Sequence, residues 1–293
     1  MKLLICSDGS EQAERAVQLG AEIAAGARAE VTLLGIAETA ASAPALLEAL
    51  QRAQQLLQQR GLHPELITKE GRVIPEIVKR TNESVYDLVI IGAVRKGTRG
   101  RFWMSSKSYK IIREIQPPVL LVAGEARPIK RVLICSGGKR YIEPAVKLTG
   151  ELARGLGASV TLLHVMPEVP MIYTGLPRME MTAERLLASN SELGLNLRQE
   201  KETLQAMGVP AEVKLRWGSV LEEILRELRT GNHDLIVTGS ALSRTLRTYV
   251  LGDISREIVN RADSAVLVVR TQTQPAGARA RFREWWGSSE SAA

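Results

Sequence analysis

At 293 residues the chain is long enough for two domains, each able to bury a core of its own. Hydrophobic residues make up 45% and charged residues 24%, a globular composition, and no run approaches eighteen consecutive apolar positions, which argues against a membrane-spanning helix. The formal charge of +7 invites nucleic acid, but aromatics are only 4% and acidic side chains accompany most of the basic ones, so a stacking platform is poorly supplied and nucleic acid is disfavoured.

Met1-Lys-Leu-Leu-Ile-Cys-Ser7 runs directly into a strand pattern without the features of a secretory signal, so the cytoplasm is the expected compartment. A strand over Lys2 to Ser7 closes at the turn residues Asp8-Gly9-Ser10. A helix follows from Glu11 to about Ala25, with Ser10 as its N-cap and Gly26 as its stop. Val31 to Ala37 reads as a strand, Pro44 to Gln59 as a helix, Glu65 to Lys69 as a strand, and Gly71 leads into a third helix through Lys79. Tyr86 to Ile91 is the fourth strand, Lys107 to Ile115 the fourth helix, and Pro117 to Ala123 the fifth strand. Such alternation specifies a parallel sheet with helices on both faces.

After a polar joint at Glu125 to Pro128 the pattern restarts. Cys135 lies 129 residues after Cys6 in the same apolar context, and Gly239 lies 147 residues after Gly92. The second copy reads as a strand Arg131 to Ser136, a helix Glu143 to Gly155, a strand Ser159 to Val165 and a long helical region Arg178 to Met207. Ala211 to Arg216, Val220 to Arg229, Asp234 to Thr238, a helix Tyr249 to Asn260 and a strand Ser264 to Arg270 complete it. Eighteen extra residues fall between its first and fourth strands, and we place them within Met166 to Ser191. The expected units are 1–126 and 127–271, with a polar, disordered tail over 272–293 that carries the basic, aromatic octad Arg279 to Trp286.

The stretch that organises each copy is the one after its fourth strand. In copy one, Leu88 to Ile91 stops at Gly92, and a glycine- and arginine-rich loop leads to a helix at Ser106. In a parallel sheet that loop overhangs the carboxyl edge, where ligands bind. Arg95, Lys96, Arg99, Arg101, Lys107, Lys110 and Arg113 stand there with no acidic residue until Glu114, a cluster suited to a small phosphate ligand. Trp103 in the same loop fits either a ligand cover or a contact with the other copy.

These residues resemble the universal stress protein family, as two family domains in tandem over about residues 1 to 270. The resemblance rests on Ser-Asp-Gly-Ser-Glu after the first strand, Ala-Glu-Arg-Ala-Val in the first helix, Tyr-Asp-Leu-Val-Ile-Ile-Gly, Pro-Pro-Val-Leu-Leu-Val, and in copy two Leu-Gly-Asp-Ile-Ser-Arg-Glu-Ile-Val with Ala-Val-Leu-Val-Val. It implies two five-stranded, open, parallel α/β domains, Rossmann-like and of the adenine nucleotide alpha hydrolase type. Their fifth strands, Val119 to Val122 and Val266 to Val269, would meet in an internal pseudo-dimer, with further homo-oligomerisation open. It also implies, for members that bind nucleotide, an ATP site with Mg made from an Asp after the first strand and a Gly-x2-Gly-x9-Gly-Ser/Thr loop.

Both copies depart from that pattern. Copy one keeps Asp8 and Gly92, has Arg95 at the second glycine and Ser105-Ser106 at the Gly-Ser, and retains Gly97 and Gly100 in the loop. Copy two keeps Gly239 and Gly252 but has Leu242 at the middle glycine, Asp253 at the hydroxyl and Gly137 in place of Asp8. The resemblance therefore implies a non-enzymatic stress-response protein that binds an unknown protein partner, with degenerate phosphate loops; the alternative is an ATP-binding switch using copy one. Cys6 and Cys135 read as small core residues, His63, His164 and His233 as ordinary packing, and Asp87 and Asp234 as turn-fixing residues. Ser7 and Ser136 lack the partners of a nucleophile, and no metal site or catalytic constellation is expected.

Overall fold

The computed structural model describes residues 1–93, 95–96, 103–104, 106–124, 127–138, 142–166, 181–242 and 249–271. Copy one consists of β1 (Lys2–Ser7), α1 (Glu11–Ala27), β2 (Glu30–Ala37), α2 (Ala43–Gln59), β3 (Glu65–Glu70), α3 (Val73–Glu83) and β4 (Leu88–Gly92), followed by the short β5 (Arg95–Lys96) and β6 (Trp103–Met104), α4 (Ser106–Glu114) and β7 (Val119–Val122). Copy two repeats it with β8 (Arg131–Cys135), α5 (Glu143–Leu156), β9 (Ser159–Met166), α6 (Ala183–Ala188), α7 (Glu192–Ala206), β10 (Ala211–Trp217), α8 (Val220–Thr230), β11 (Leu235–Leu242), the short β12 (Tyr249–Val250), α9 (Asp253–Arg261) and β13 (Ala265–Thr271). The tail expected over 272–293 lies outside the described residues.

The strands of copy one run in the order β3-β2-β1-β4-β7, those of copy two in the order β10-β9-β8-β11-β13, and all neighbours within each copy on these paths are parallel. The two sheets are one sheet. β7 and β13 pair antiparallel, with Leu120 opposite Leu267, so the two apolar edges cover one another as the pseudo-dimer requires. Those central strands are buried on both faces, which is why they read as unbroken apolar runs. One core lies between the sheet and α1, α2, α5 and α7, and a second between the sheet and α3, α4, α8 and α9; both run across the seam.

Three expectations need correction. Gly26 does not stop α1: the helix continues to Ala27 and ends at Arg28, whose left-handed φ of 49° closes it as Gly157 closes α5. Gly26 instead meets Gly155, its counterpart on α5, so closely that an added Cβ on either would stand 2.7 Å from the other's carbonyl carbon. The region Arg178 to Met207 is not one helix. Within its described part, Thr182 caps α6 and Ser191 caps α7, each accepting a backbone N–H, so the chain breaks and restarts between them. Tyr249-Val250 is a strand paired with the end of β11, and the last helix begins only at Asp253.

Asp87 and Asp234 also do something other than fix a turn. Asp87 Oδ2 accepts the backbone N–H of Lys2 at 2.7 Å, and Asp234 Oδ2 accepts those of Lys130 and Arg131 at 2.9 and 3.0 Å. Each ties the start of its copy's first strand to the start of the fourth.

Candidate functional site

In copy one β1 delivers Asp8 to the carboxyl edge of the sheet. Ser7 Oγ accepts the N–H of Gly9 at 3.2 Å, and Asp8 Oδ1 accepts that of Ser10 at 3.0 Å, so the exposed carboxylate is seated in a local Asx turn. Gly92 ends β4 beside it. An added Cβ there would stand 2.7 Å from the backbone nitrogen of Ala13, so the first turn of α1 is what demands glycine at this position. Asp8, Gly92, Cys6, Gln12, Ile36 and Ile91 line one cavity of about 110 Å³.

Of the loop beyond Gly92, the described residues form two short strands. Arg95 pairs with Met104 and Lys96 with Trp103 as an antiparallel ribbon, and Ser106 opens α4. The strand that carries Trp103 lies beside α9, placing it at the contact between the copies. Gly97, Gly100 and Ser105 lie outside the described residues. In copy two Leu242, at the middle-glycine position, likewise pairs with Tyr249. A ladder of this kind keeps the backbone extended, where an anion nest needs successive N–H groups turned to one point.

Copy two is built differently at the corresponding positions. Gly137 stands where copy one has Asp8, and Gly138 is buried beneath α7, where an added Cβ would collide with Leu193 Cδ1. Asn196 Nδ2 donates to the Gly138 carbonyl at 2.9 Å, and His164 Nδ1 donates to the Ser136 carbonyl at 2.9 Å. Gly239 lies within β11, and its carbonyl accepts the Ser255 hydroxyl at 2.9 Å. Gly252 is the N-cap of α9 in open space, and Asp253 puts an exposed carboxylate on the helix start, with Arg256 3.4 Å away. That carboxylate already answers the helix N-terminus that a phosphate would use.

His164, Asn196 and Glu200 were not singled out as site residues from the sequence, because each looks ordinary in its own helix or strand. Comparison of the copies was the available signal: their counterparts in copy one are Gly35, Ala49 and Ala53. Glu200 is 7% exposed, and neither of its oxygens has a hydrogen-bond partner. Burial pushes its carboxyl up to about 7, the neighbouring Ser136 hydroxyl pulling the other way. On the other face of the sheet, on α8, burial pushes the Glu227 carboxyl up while hydrogen bonds from Lys214, Arg216 and His233 pull it down, with the net direction downward. Cys6 and Cys135 are free, and burial pushes each thiol up to about 12, which removes them as nucleophiles or thiolate ligands at neutral pH. Among the described residues no cluster of His, Cys, Asp and Glu is placed to hold a metal, and no helix is long and apolar enough to cross a membrane.

The universal stress protein family model matches residues 1–123 and again 128–270. The chain belongs to the universal stress protein family. A universal stress protein from Archaeoglobus fulgidus DSM 4304 is 18% identical, with a TM-score of 0.71 over 92% of this chain and 98% of that one. A putative universal stress protein from Pseudomonas aeruginosa UCBPP-PA14 is 16% identical, with a TM-score of 0.64 over 92% and 93%. At such identities the likeness speaks to the fold: a tandem of two universal stress protein domains. A shorter family protein from Archaeoglobus fulgidus, in complex with dAMP, aligns at 16% identity to 49% of this chain and 99% of its own, at a TM-score of 0.36. No curated protein matches the sequence.

Proposed function

We propose that this chain is a cytoplasmic stress-response protein, with units 1–126 and 127–271, that works by binding a protein partner, without catalysis and without robust ATP binding. The observation that carries this reading is the loop after the first strand in each copy. In copy two Gly138 lies under α7, Asn196 and His164 hold the Gly138 and Ser136 carbonyls, and Asp253 stands at the start of α9, the helix after the fourth strand. In copy one the cavity beside Asp8 holds about 110 Å³, well below the roughly 300–1,000 Å³ of ordinary small-molecule sites.

A second reading has one observation in its favour. Asp8 and Gly92 do share a cavity, and the arginine- and lysine-rich stretch from Arg95 to Arg113 follows it, so copy one retains the outline of a switch that would take Mg-ATP. Asp8 would face the nucleoside and the basic stretch the phosphates. Thermal unfolding with millimolar Mg-ATP, and Mg-GTP as control, separates the two. A ligand at about 100 times its dissociation constant adds roughly 2.7 kcal/mol, a shift of several degrees. No shift with either nucleotide is expected; a shift with ATP that Asp8→Ala abolishes would establish the switch instead.

A further inference from the structure

Two grooves lie at the seam, one at each end of the β7–β13 pair, and they are built from matching positions. The first, of about 650 Å³, is lined in part by Val85, Asp87, Pro117, Leu148 and Val269. The second, of about 370 Å³, is lined by their counterparts Asn232, Asp234, Ser264, Leu19 and Val122. The second groove has one more wall. The chain leaving β7 passes Gly124, with φ of 76°, and brings Arg127 into the lining beside Asp234 and Asp263, before the buried Ile129 leads into β8.

The chain leaving β13 stands at the matching place in the first groove, since Val269 and Arg270 line it themselves. Past the last strand Gln274 and Pro275 stand 147 residues after Arg127 and Pro128, the spacing that relates Gly92 to Gly239, with the proline in common. What differs is the chemistry of the two grooves. The first has Val85, Pro117 and Pro118 where the second has Asn232, Ser264 and Ala265, and Val85 is 86% exposed. Its charged lining is Asp87, one oxygen of which holds the Lys2 N–H, the exposed Glu151, and Arg270, whose guanidinium donates to the carbonyls of Ile115 and Gln116 and to Ser240 Oγ. An apolar patch of Val85 and two prolines, with two carboxylates beside it, suits an aromatic, basic segment.

We propose that the carboxyl-terminal segment 272–286 of this same chain is the occupant of the first groove. Gln274 takes the place that Arg127 takes in the second. Phe282, Trp285 and Trp286 cover Val85 and the two prolines, and Arg279, Arg281 and Arg283 face Asp87 and Glu151. Ten residues lie between Thr271 and Phe282, and the eleven steps span up to about 36 Å of extended chain from a strand end that itself lines the groove.

Disulfide trapping in the full-length protein tests this. Val85→Cys with Ala280→Cys is compared with Leu66→Cys with Ala280→Cys, Leu66 lying on the outer strand β3, four strands from the seam. Under mild oxidation the first pair should close within the chain at least about ten times faster than the second, because docking raises the effective concentration of the thiols. Adding Trp285→Ala and Trp286→Ala to the first pair should remove that advantage. Equal rates in the two pairs would overturn the proposal. A disulfide-linked dimer as the main product would also overturn it, making a second copy of the chain the occupant.

Discussion

Ala53 in copy one and Glu200 in copy two hold the same helical position, and both are 7% exposed. The carboxyl gains nothing from its surroundings that water would not supply better, so the cheaper state is the protonated one. Its folded value of about 7 lies above the ordinary 4.5, and the native protein therefore keeps a proton that the unfolded chain releases. Stability from this site is present at low pH and is lost as pH rises from about 4.5 through about 7. Between pH 5 and pH 8 the natural protein should lose about 2–3 kcal/mol more than Glu200→Ala, read from denaturant midpoints at both pH values. Parallel curves for the two proteins would show that the carboxyl is ionised and solvated throughout. The sequence alone did not single out this residue, because a glutamate in a polar helix reads as solvent-facing until the second copy is laid over the first. Asp8 and Gly92, by contrast, were legible, and the structure does bring them into one cavity. The reason for Gly92 was not, since the backbone that crowds it comes from α1, nearly eighty positions earlier.

At the scale of elements, the crossing of α1 and α5 rests on two glycines that the sequence suggests for other work. Gly26 reads as a helix stop because it follows the last apolar positions, yet Arg28 closes the helix and Gly26 admits the other helix's backbone. Gly26→Val sets two effects against each other. Removing a helical glycine is worth up to about 1 kcal/mol, while driving a branched side chain into the Gly155 carbonyl costs about 1–3 kcal/mol or more, because backbone has little room to yield. Destabilisation should win by about 2 kcal/mol, and a lower urea midpoint would register it; an unchanged midpoint would mean the helices separate at no cost. The ribbons after β4 and β11 belong to the same scale. Their pairing is local and two residues long, Lys96 with Trp103 and Leu242 with Tyr249, while β6 lies against α9 and β12 against α4 of the other copy, so strands form where no periodicity could announce them.

Across the whole molecule, the antiparallel pair β7–β13 joins the halves, and Val119, Leu120, Val266, Leu267 and Val268 are all 1% exposed or less. Tyr109 adds a crossing on the second face, its hydroxyl 2.9 Å from Asn260 Oδ1. A fragment of residues 1–124 would leave β7 as an apolar edge without a partner, and burying one such Val or Leu is worth about 1.5–3 kcal/mol. It should therefore associate into dimers in sedimentation equilibrium. A fragment that stays monomeric at every concentration would mean that the helices and not the edge strands hold the halves together. The sequence by itself determined the alternation of strands and helices, the duplication and the position of the extra eighteen residues, while the meeting of the two fifth strands came from the family resemblance. The first three follow from local periodicity and from the fixed spacing between the copies. Tertiary structure alone decided that Gly138 lies beneath α7, that Glu200 is buried, and that the two seam grooves are built from matching positions. Each of these depends on which atoms from distant parts of the chain come within contact distance, and no local pattern records that.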